Sequence, residues 1–174
     1  GGAKRVVICL EVGFGGRLDA VKMVDADFSI VTGIALDHMD WFGDTREKIA
    51  REKAGILRPG KPAICGDFSP PAILLEQAEK MQTTLFCQNS QFGFEKKDFV
   101  WKWFAEKIKF ENLPLPQLAL QNMSTVLMAI ELLQEKLPVK RPAIDVALKS
   151  GNLPARIQIL PGKGKTVCNV AHKP

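Results

Sequence analysis

Four short apolar runs along the chain predict buried β-strands. Continuous runs rich in β-branched residues suit strands that are covered by helices on both faces of a parallel sheet. The runs lie at residues 6–10, 28–36, 61–66 and 85–87. They alternate with segments of helical period, and this alternation is typical of a doubly wound α/β fold. The pattern therefore predicts a mostly parallel sheet with flanking helices.

Helices are predicted where apolar residues recur three and four positions apart. The predicted helices cover residues 44–54, about 69–81, 118–137 and 142–150. In the first, Asp44 is the expected cap and Gly55 the expected left-handed stop. In the third, the expected apolar stripe consists of Met123, Val126, Leu127, Ile130 and Leu133.

The remaining patterned segments predict antiparallel structure. Residues 92–110 are rich in aromatic and charged side chains, which indicates a small antiparallel excursion. Its Trp101 and Trp103 are either core residues or an exposed stacking platform, and core packing is favoured. Residues 156–160 and 166–171 predict a hairpin around a Gly-Lys-Gly-Lys-Thr turn. That turn is not a phosphate-binding P-loop, because Ile159 stands where the motif needs glycine and a strand follows instead of a helix.

Two polar residues stand at the ends of predicted parallel strands. Glu11 ends the first run, and His38 follows the second. In open α/β sheets, ligands bind outside the carboxyl ends of the strands. A capping carboxylate and a core histidine are the structural alternatives, but the matched placement favours a common site.

A third candidate is Lys53, which lies on the predicted helix over residues 44–54. It shares a side of that helix with Ile49, Ala50 and Ala54. A lysine among core positions must extend to solvent, pair with an acid or lose its charge. A neutral amine can also take up carbon dioxide as a carbamate, an anion that can face a cation. Spacing alone favours the ordinary extended lysine.

Composition narrows the classes of function. The 174 residues are 46% hydrophobic and carry a net charge of +5 with both signs interspersed, so we expect no nucleic-acid partner. No apolar run is long enough to cross a membrane. The four cysteines form no CxxC pair, and Cys9 and Cys168 lie in apolar runs as expected core residues. This usage fits a cytoplasmic protein.

Two motifs resemble a known enzyme family. The segments EVGFGGRLDA and SIVTGIALDHMDWFGDTREKIAREKAGI are similar to the central motifs of folylpolyglutamate synthases, and most similar to the bacterial bifunctional dihydrofolate synthase/folylpolyglutamate synthases. These enzymes belong to the Mur ligase superfamily. The resemblance is dense over residues 11–62 and returns at LPLPQLALQN and LPARIQIL.

The resemblance implies an ATP-dependent ligase that joins L-glutamate to dihydropteroate or a reduced folate such as tetrahydrofolate through an acyl phosphate. Mg²⁺ and ATP are the implied cofactors, and a monomer is the expected state. The implied metal and catalytic residues are Glu11, His38 and Lys53, with the lysine carbamylated. The implied nucleotide residues are Asn122, Arg156, Asn169 and His172, and the implied pterin-site residues are Leu18, Asp19 and Ala20.

The sequence departs from the family pattern at the nucleotide site. Ala155 stands where the family has glycine, Asn169 where it has aspartate, and Lys173 where it has asparagine. Asn169 can still hydrogen-bond a ribose hydroxyl, but it carries no charge. These differences leave open a weakened or diverged nucleotide site.

The domain prediction follows from the same resemblance. Residues 1–150 are expected to form part of the ATP- and Mg²⁺-binding central domain without its P-loop, and residues 151–174 a hinge and the first strands of a C-terminal domain. Such a fragment should not turn over ATP alone and should expose apolar surface. The alternatives are a Mur-type ligase of peptidoglycan synthesis, disfavoured by GFGGRLDA, and a non-catalytic relative that binds folate or ATP.

Overall fold

A three-stranded parallel sheet organises the chain. The computed structural model describes residues 7–12, 15–16, 19–35, 45–150, 158–160 and 166–168. Its sheet has the order β1 (Ser29–Val31), β2 (Ala63–Cys65) and β3 (Leu85–Cys87), with Ile30 opposite Ile64 and Ile64 opposite Phe86. The predicted α/β class and the last three of the four predicted strands are confirmed.

Side chains of β2 alternate between two apolar cores, one on each face of the sheet. Ala63 and Cys65 pack with α1 (Arg46–Lys53) and α2 (Ala72–Lys80). Ile64 packs on the other face with α3 (Leu120–Leu133), α4 (Arg141–Ser150) and a second, antiparallel sheet. All three β2 residues have no exposed surface, which is why this run is apolar without alternation.

The described residues also include two short 3₁₀ helices. They span Ala20–Met23 and Ala54–Ile56, the second continuing directly from α1. The predicted helix over residues 118–137 is shorter in the structure, because the regular helix ends at Leu133.

The predicted antiparallel excursion is confirmed. Strands β4 (Phe92–Lys97), β5 (Val100–Ala105) and β6 (Lys109–Pro114) form a meander. Trp101 and Trp103 are 1% and 0% exposed, and the indole of Trp103 donates to the carbonyl and hydroxyl oxygens of Ser124 on α3. This sheet therefore closes one core.

The two strands of the predicted hairpin are present within the described residues. Strand β7 (Gln158–Leu160) pairs antiparallel with β8 (Thr166–Cys168), and Ile159 lies opposite Val167.

The first predicted strand is wrong for the residues the structure describes. Residues 7–10 form no strand, and Val7, Ile8 and Leu10 are 58%, 78% and 45% exposed. Cys9, expected in the core, is exposed with them. An apolar run becomes a buried strand only when neighbours cover it, and no described strand pairs with residues 7–10.

The helix ends also differ from expectation. Thr45, and not Asp44, caps α1, since its hydroxyl accepts from the backbone N–H of Lys48. Gly55 does not end the helix in a left-handed conformation but lies inside the 3₁₀ continuation. On α3, Val126 is 44% exposed while Ser124 and Thr125 are buried, because this helix packs its polar side chains against both sheets.

No helix within the described ranges has the length and apolar character that crossing a membrane requires.

Candidate active site at the carboxyl edge of the sheet

Gly66, directly after β2, holds three elements together at the carboxyl edge of the parallel sheet. Its N–H donates to Val31 O at 2.8 Å, and its carbonyl accepts from Gln121 Nε2 at 2.6 Å. A Cβ at this position would lie 2.5 Å from Thr125 Oγ1 and 2.6 Å from Thr32 O. Only glycine permits this crossing, so β1, β2 and the start of α3 are locked in one arrangement.

The buried carboxylate of Asp67 connects the next layer of the edge. It accepts from the backbone N–H of Ile34 at 2.8 Å and of Ser69 at 2.9 Å. The Arg46 guanidinium donates to it at 2.8 Å and also to Ile34 O and Ser69 O. Asp67 and Arg46 thus fix the segment that follows β1, which leads towards His38.

The electrostatics of Asp67 favour its charged form. Burial by itself raises the pKa of the carboxyl, but the hydrogen bonds from Ser69, Ile34 and Arg46 outweigh it. The pKa of Asp67 therefore lies below its ordinary value of 3.8, and the residue is an anion at neutral pH that its donors already satisfy. It is a positioning residue rather than a free acid.

Lys53 ends α1 on the side predicted for it. It is half-buried, Ile49, Ala50 and Ala54 are buried beside it, and Arg51 is exposed. Gly16 packs on this last turn of α1. A Cβ on Gly16 would lie 2.8 Å from Glu52 O, 2.9 Å from Ile56 Cγ2 and 3.4 Å from Lys53 O. The structure thus brings the segment after Glu11 against the helix end that carries Lys53.

Glu11 is an exposed residue outside regular structure, five positions before Gly16. Its carboxylate is of the kind that Mg²⁺ takes, since that ion is usually held by one or two carboxylates together with waters and phosphate oxygens. Among the described residues, no three or more His, Cys, Asp or Glu side chains gather into a cluster that could hold a metal. The Glu11 carboxylate could therefore serve as one of the few protein ligands that Mg²⁺ needs.

Other predicted site residues lie at separate places in the described part of the chain. Asn122 is exposed in the first turn of α3, next to Gln121. Asp19 is half-buried, and Ala20 is exposed at the start of the first 3₁₀ helix. Five predicted residues fall outside the described ranges: Leu18, His38, Arg156, Asn169 and His172.

Sequence reasoning missed Arg46, Asp67 and Gln88. Gln88 follows β3, is 1% exposed, and its carboxamide has no hydrogen-bond partner in the described part of the chain. An aspartate just after a buried strand was a usable signal, since Asp67 stands at the carboxyl end of β2 as Glu11 was expected to stand at the first strand. Gln88 carried no such signal, because only its burial makes it unusual.

A groove of about 650 Å³ lies elsewhere, between the outer faces of α1 and α2. It is lined by Glu47, Lys48, Arg51, Ala72, Ile73 and Glu76. None of these was predicted as a site residue, and most are charged residues on solvent-facing turns. The carboxyl edge, and not this groove, therefore remains the candidate site.

No protein-family model matches the chain, but individual curated proteins do. The chain is 41% identical over 168 residues to the dihydrofolate synthase/folylpolyglutamate synthase of Escherichia coli K12, covering 97% of this chain and 39% of that protein. It is 44% identical over 131 residues to the Haemophilus influenzae enzyme of the same name, covering 75% and 30%. The chain thus spans less than half the length of these relatives.

Solved structures agree with the sequence matches. An E. coli FolC in complex with DHPP and ADP superposes with a TM-score of 0.84 at 40% identity, over 92% of this chain and 38% of that one. A bifunctional folylpolyglutamate synthase/dihydrofolate synthase with Mn, AMPPNP and L-glutamate bound gives 0.82 at 37% identity, over 92% and 39%. Sequence and fold together show that the chain belongs to the dihydrofolate synthase/folylpolyglutamate synthase family and corresponds to about two fifths of its relatives' length.

Proposed function

We propose that the protein carrying this chain is an ATP-dependent ligase that adds L-glutamate to dihydropteroate, to folates or to both. In the proposed reaction, ATP phosphorylates the free carboxylate of the acceptor. The amine of L-glutamate attacks the acyl phosphate, the amide bond forms, and phosphate leaves.

The comparisons support each component of this proposal. The relatives are named for the two glutamate-adding activities. The superposed structures hold DHPP with ADP in one case and Mn, AMPPNP and L-glutamate in the other. We infer the same substrate classes, ATP and a divalent cation such as Mg²⁺ for this chain.

The contact between Gly16 and the end of α1 is the structural observation that supports this proposal. Gly16 packs directly on the last turn of α1, so the loop that follows Glu11 meets the helix end with Lys53, although the two are far apart in sequence. Ile56, which Gly16 also contacts, is anchored to the start of β1, because its carbonyl accepts from Ser29 Oγ at 2.7 Å.

The proposed roles follow from the chemistry of each group. Glu11 supplies a carboxylate oxygen to the cation, while Lys53, as a carbamate, and His38 complete the charge-bearing set. The cation, when bound, would neutralise charge on the transferring phosphoryl group. Nucleotide contacts are proposed for Asn122, Arg156, Asn169 and His172, and pterin contacts for Leu18, Asp19 and Ala20.

A magnesium titration of the Glu11→Ala variant of the full-length protein tests the metal role. We expect its glutamate-adding rate, with ATP and dihydropteroate, to need at least about tenfold more Mg²⁺, since one of only one or two carboxylate ligands is lost. Glu106→Ala is the matched control, because Glu106 is an exposed carboxylate on the β5–β6 turn. An Mg²⁺ dependence in Glu11→Ala equal to that of the control would exclude the role.

The setting is proposed to be the cytoplasm, with the enzyme acting as a monomer. Cys65 and Cys87 lie opposite each other on β2 and β3, and both are free thiols, as a reducing compartment would keep them. The hydrogen bond with Cys87, together with burial, raises the pKa of Cys65.

The domain division after residue 150 is likewise a proposal.

A further inference from the structure

Phe68 presents an aromatic ring at the carboxyl edge of the sheet. It follows Asp67 in the turn after β2 and is 45% exposed. The turn is rigid, because Asp67 Oδ1 accepts from Ser69 N and Arg46 donates to Ser69 O. An apolar ring is thus held in solvent by a loop that cannot easily fold it inward.

Two aromatic contacts support the ring from behind. The Phe68 and Phe94 ring centroids are 6.2 Å apart at 48°, and those of Phe94 and Trp101 are 6.0 Å apart at 82°. Trp101 is buried, and its indole donates to Pro114 O. The orientation of Phe68 is therefore tied to the antiparallel sheet, and nearly half of its surface is exposed in this chain.

Phe68 lies close to the residues of the candidate site. Phe68 lies two residues after Gly66, hence within about 8 Å of it, and Gly66 is bonded to Gln121 at the start of α3. The next residue, Asn122, is exposed. An exposed ring near a carboxamide at the ligand-binding edge of an α/β sheet suits a flat, polar-edged heterocycle.

We propose that Phe68 is the stacking surface for the heterocyclic ring of a substrate, either the purine of the nucleotide or the pterin of the folate. This inference rests on the proposed function, which requires both rings. Both ligands present the shared chemistry of a π-face with hydrogen-bonding edges, and stacking on an aromatic side chain tolerates either.

Direct binding measurements on Phe68→Leu in the full-length protein test the proposal. Leucine retains an apolar contact with Phe94 but offers no π-face, and Phe68→Trp restores one. ADP and dihydropteroate are titrated separately by calorimetry, with tripolyphosphate as a probe that lacks a ring. We expect about tenfold weaker binding of one ring-bearing ligand by Phe68→Leu, the order known for a lost base stack, with recovery in Phe68→Trp and unchanged tripolyphosphate binding.

Phe99→Leu is the matched control. Phe99 is 88% exposed at the tip of the β4–β5 hairpin and should affect no ligand. Weaker ADP binding alone assigns the purine, and weaker dihydropteroate binding alone assigns the pterin. Unchanged affinity for both in a folded Phe68→Leu protein overturns the stacking role. If the wild-type protein binds neither ligand, the proposed function itself fails.

Discussion

At the scale of single residues, Asp67 connects three separate segments at the carboxyl edge of the sheet. Its carboxylate joins the segment after β1, the turn after β2 and the start of α1 through Ile34, Ser69 and Arg46. Its side chain is 12% exposed, against 38% for Arg46, so the two backbone donors and the guanidinium act on a largely desolvated anion. Charge-assisted hydrogen bonds of this kind are stronger than neutral ones.

Asp67→Asn is expected to lower the free energy of unfolding by roughly 2 kcal/mol at neutral pH, because a neutral amide accepts fewer and weaker bonds. In the unfolded chain Asp67 has its ordinary pKa of 3.8, and folding lowers the pKa below that value. The charged carboxylate therefore contributes its full stabilisation at pH values well above 3.8. It is lost as pH falls through the folded pKa. Urea unfolding of both proteins at neutral pH and at about pH 3 should therefore show a gap that narrows in acid.

Asp27→Asn is the control for this comparison. Asp27 also has a lowered pKa, through its hydrogen bond with Lys136, but the pair is exposed. Its loss should leave the unfolding midpoint unchanged. An Asp67 gap that stays constant with pH would show that the carboxylate's charge is not what matters.

At the scale of elements, the crossing at Gly66 decides how α3 sits on the parallel sheet. Of the two close neighbours of a Cβ at this position, Thr125 lies on α3 and Thr32 directly follows β1, and the Thr32 contact is with a backbone oxygen. A backbone atom cannot rotate away, so relief requires β1 or α3 to shift. The position of Asn122 and Gln121 relative to Phe68 depends on that packing.

Gly66→Ala should destabilise the protein by about 1–3 kcal/mol, the usual cost of forcing extra atoms into a packed site. Gly33→Ala is its matched control, because a Cβ at Gly33 meets nothing within 4 Å and the residue has no positive φ. Thermal unfolding followed by circular dichroism compares the two. Equal melting temperatures would mean that α3 gives way without cost and that the crossing is not a constraint.

At the scale of the whole molecule, β2 couples the two cores. Ala63 and Cys65 belong to the core with α1 and α2, while Ile64 belongs to the core with the antiparallel sheet. A three-residue strand cannot lose one face and keep the other, so the two cores should unfold together.

Leu74→Ala tests this coupling by destabilising the core with α1 and α2 while the other core is observed. Leu74 is fully buried on α2, and its truncation should cost about 2–5 kcal/mol. In a Trp41→Phe background, fluorescence reports only Trp101 and Trp103 in the other core. We expect the fluorescence and circular dichroism midpoints to fall together, and a fluorescence midpoint that stays in place would show independent cores.

Much of the architecture could be predicted from local pattern. The runs around Ile30, Ile64 and Phe86 and the aromatic meander were predicted correctly, because burial on two faces imposes continuous apolar character on a strand. Core packing was favoured for Trp101 and Trp103 over an exposed platform, and their burial confirms it. Of the candidate site, the side of α1 that carries Lys53 was predictable, since helical period alone determines it.

Contacts between distant segments were decided only by the tertiary structure. Whether residues 7–10 are buried depends on neighbouring segments that hydrophobic periodicity does not identify. In this chain Val7, Ile8 and Leu10 are exposed although the run is apolar. Ser124 is buried with its hydroxyl accepting from the Trp103 indole, while Val126 on the same helix is exposed. The Asp67–Arg46 bond, the fit of Gly16 on α1 and the exposed ring of Phe68 likewise depend on long-range packing. The sequence by itself determined which segments form strands and helices, whereas the fold determined which of their side chains meet, because local pattern records periodicity and not partners.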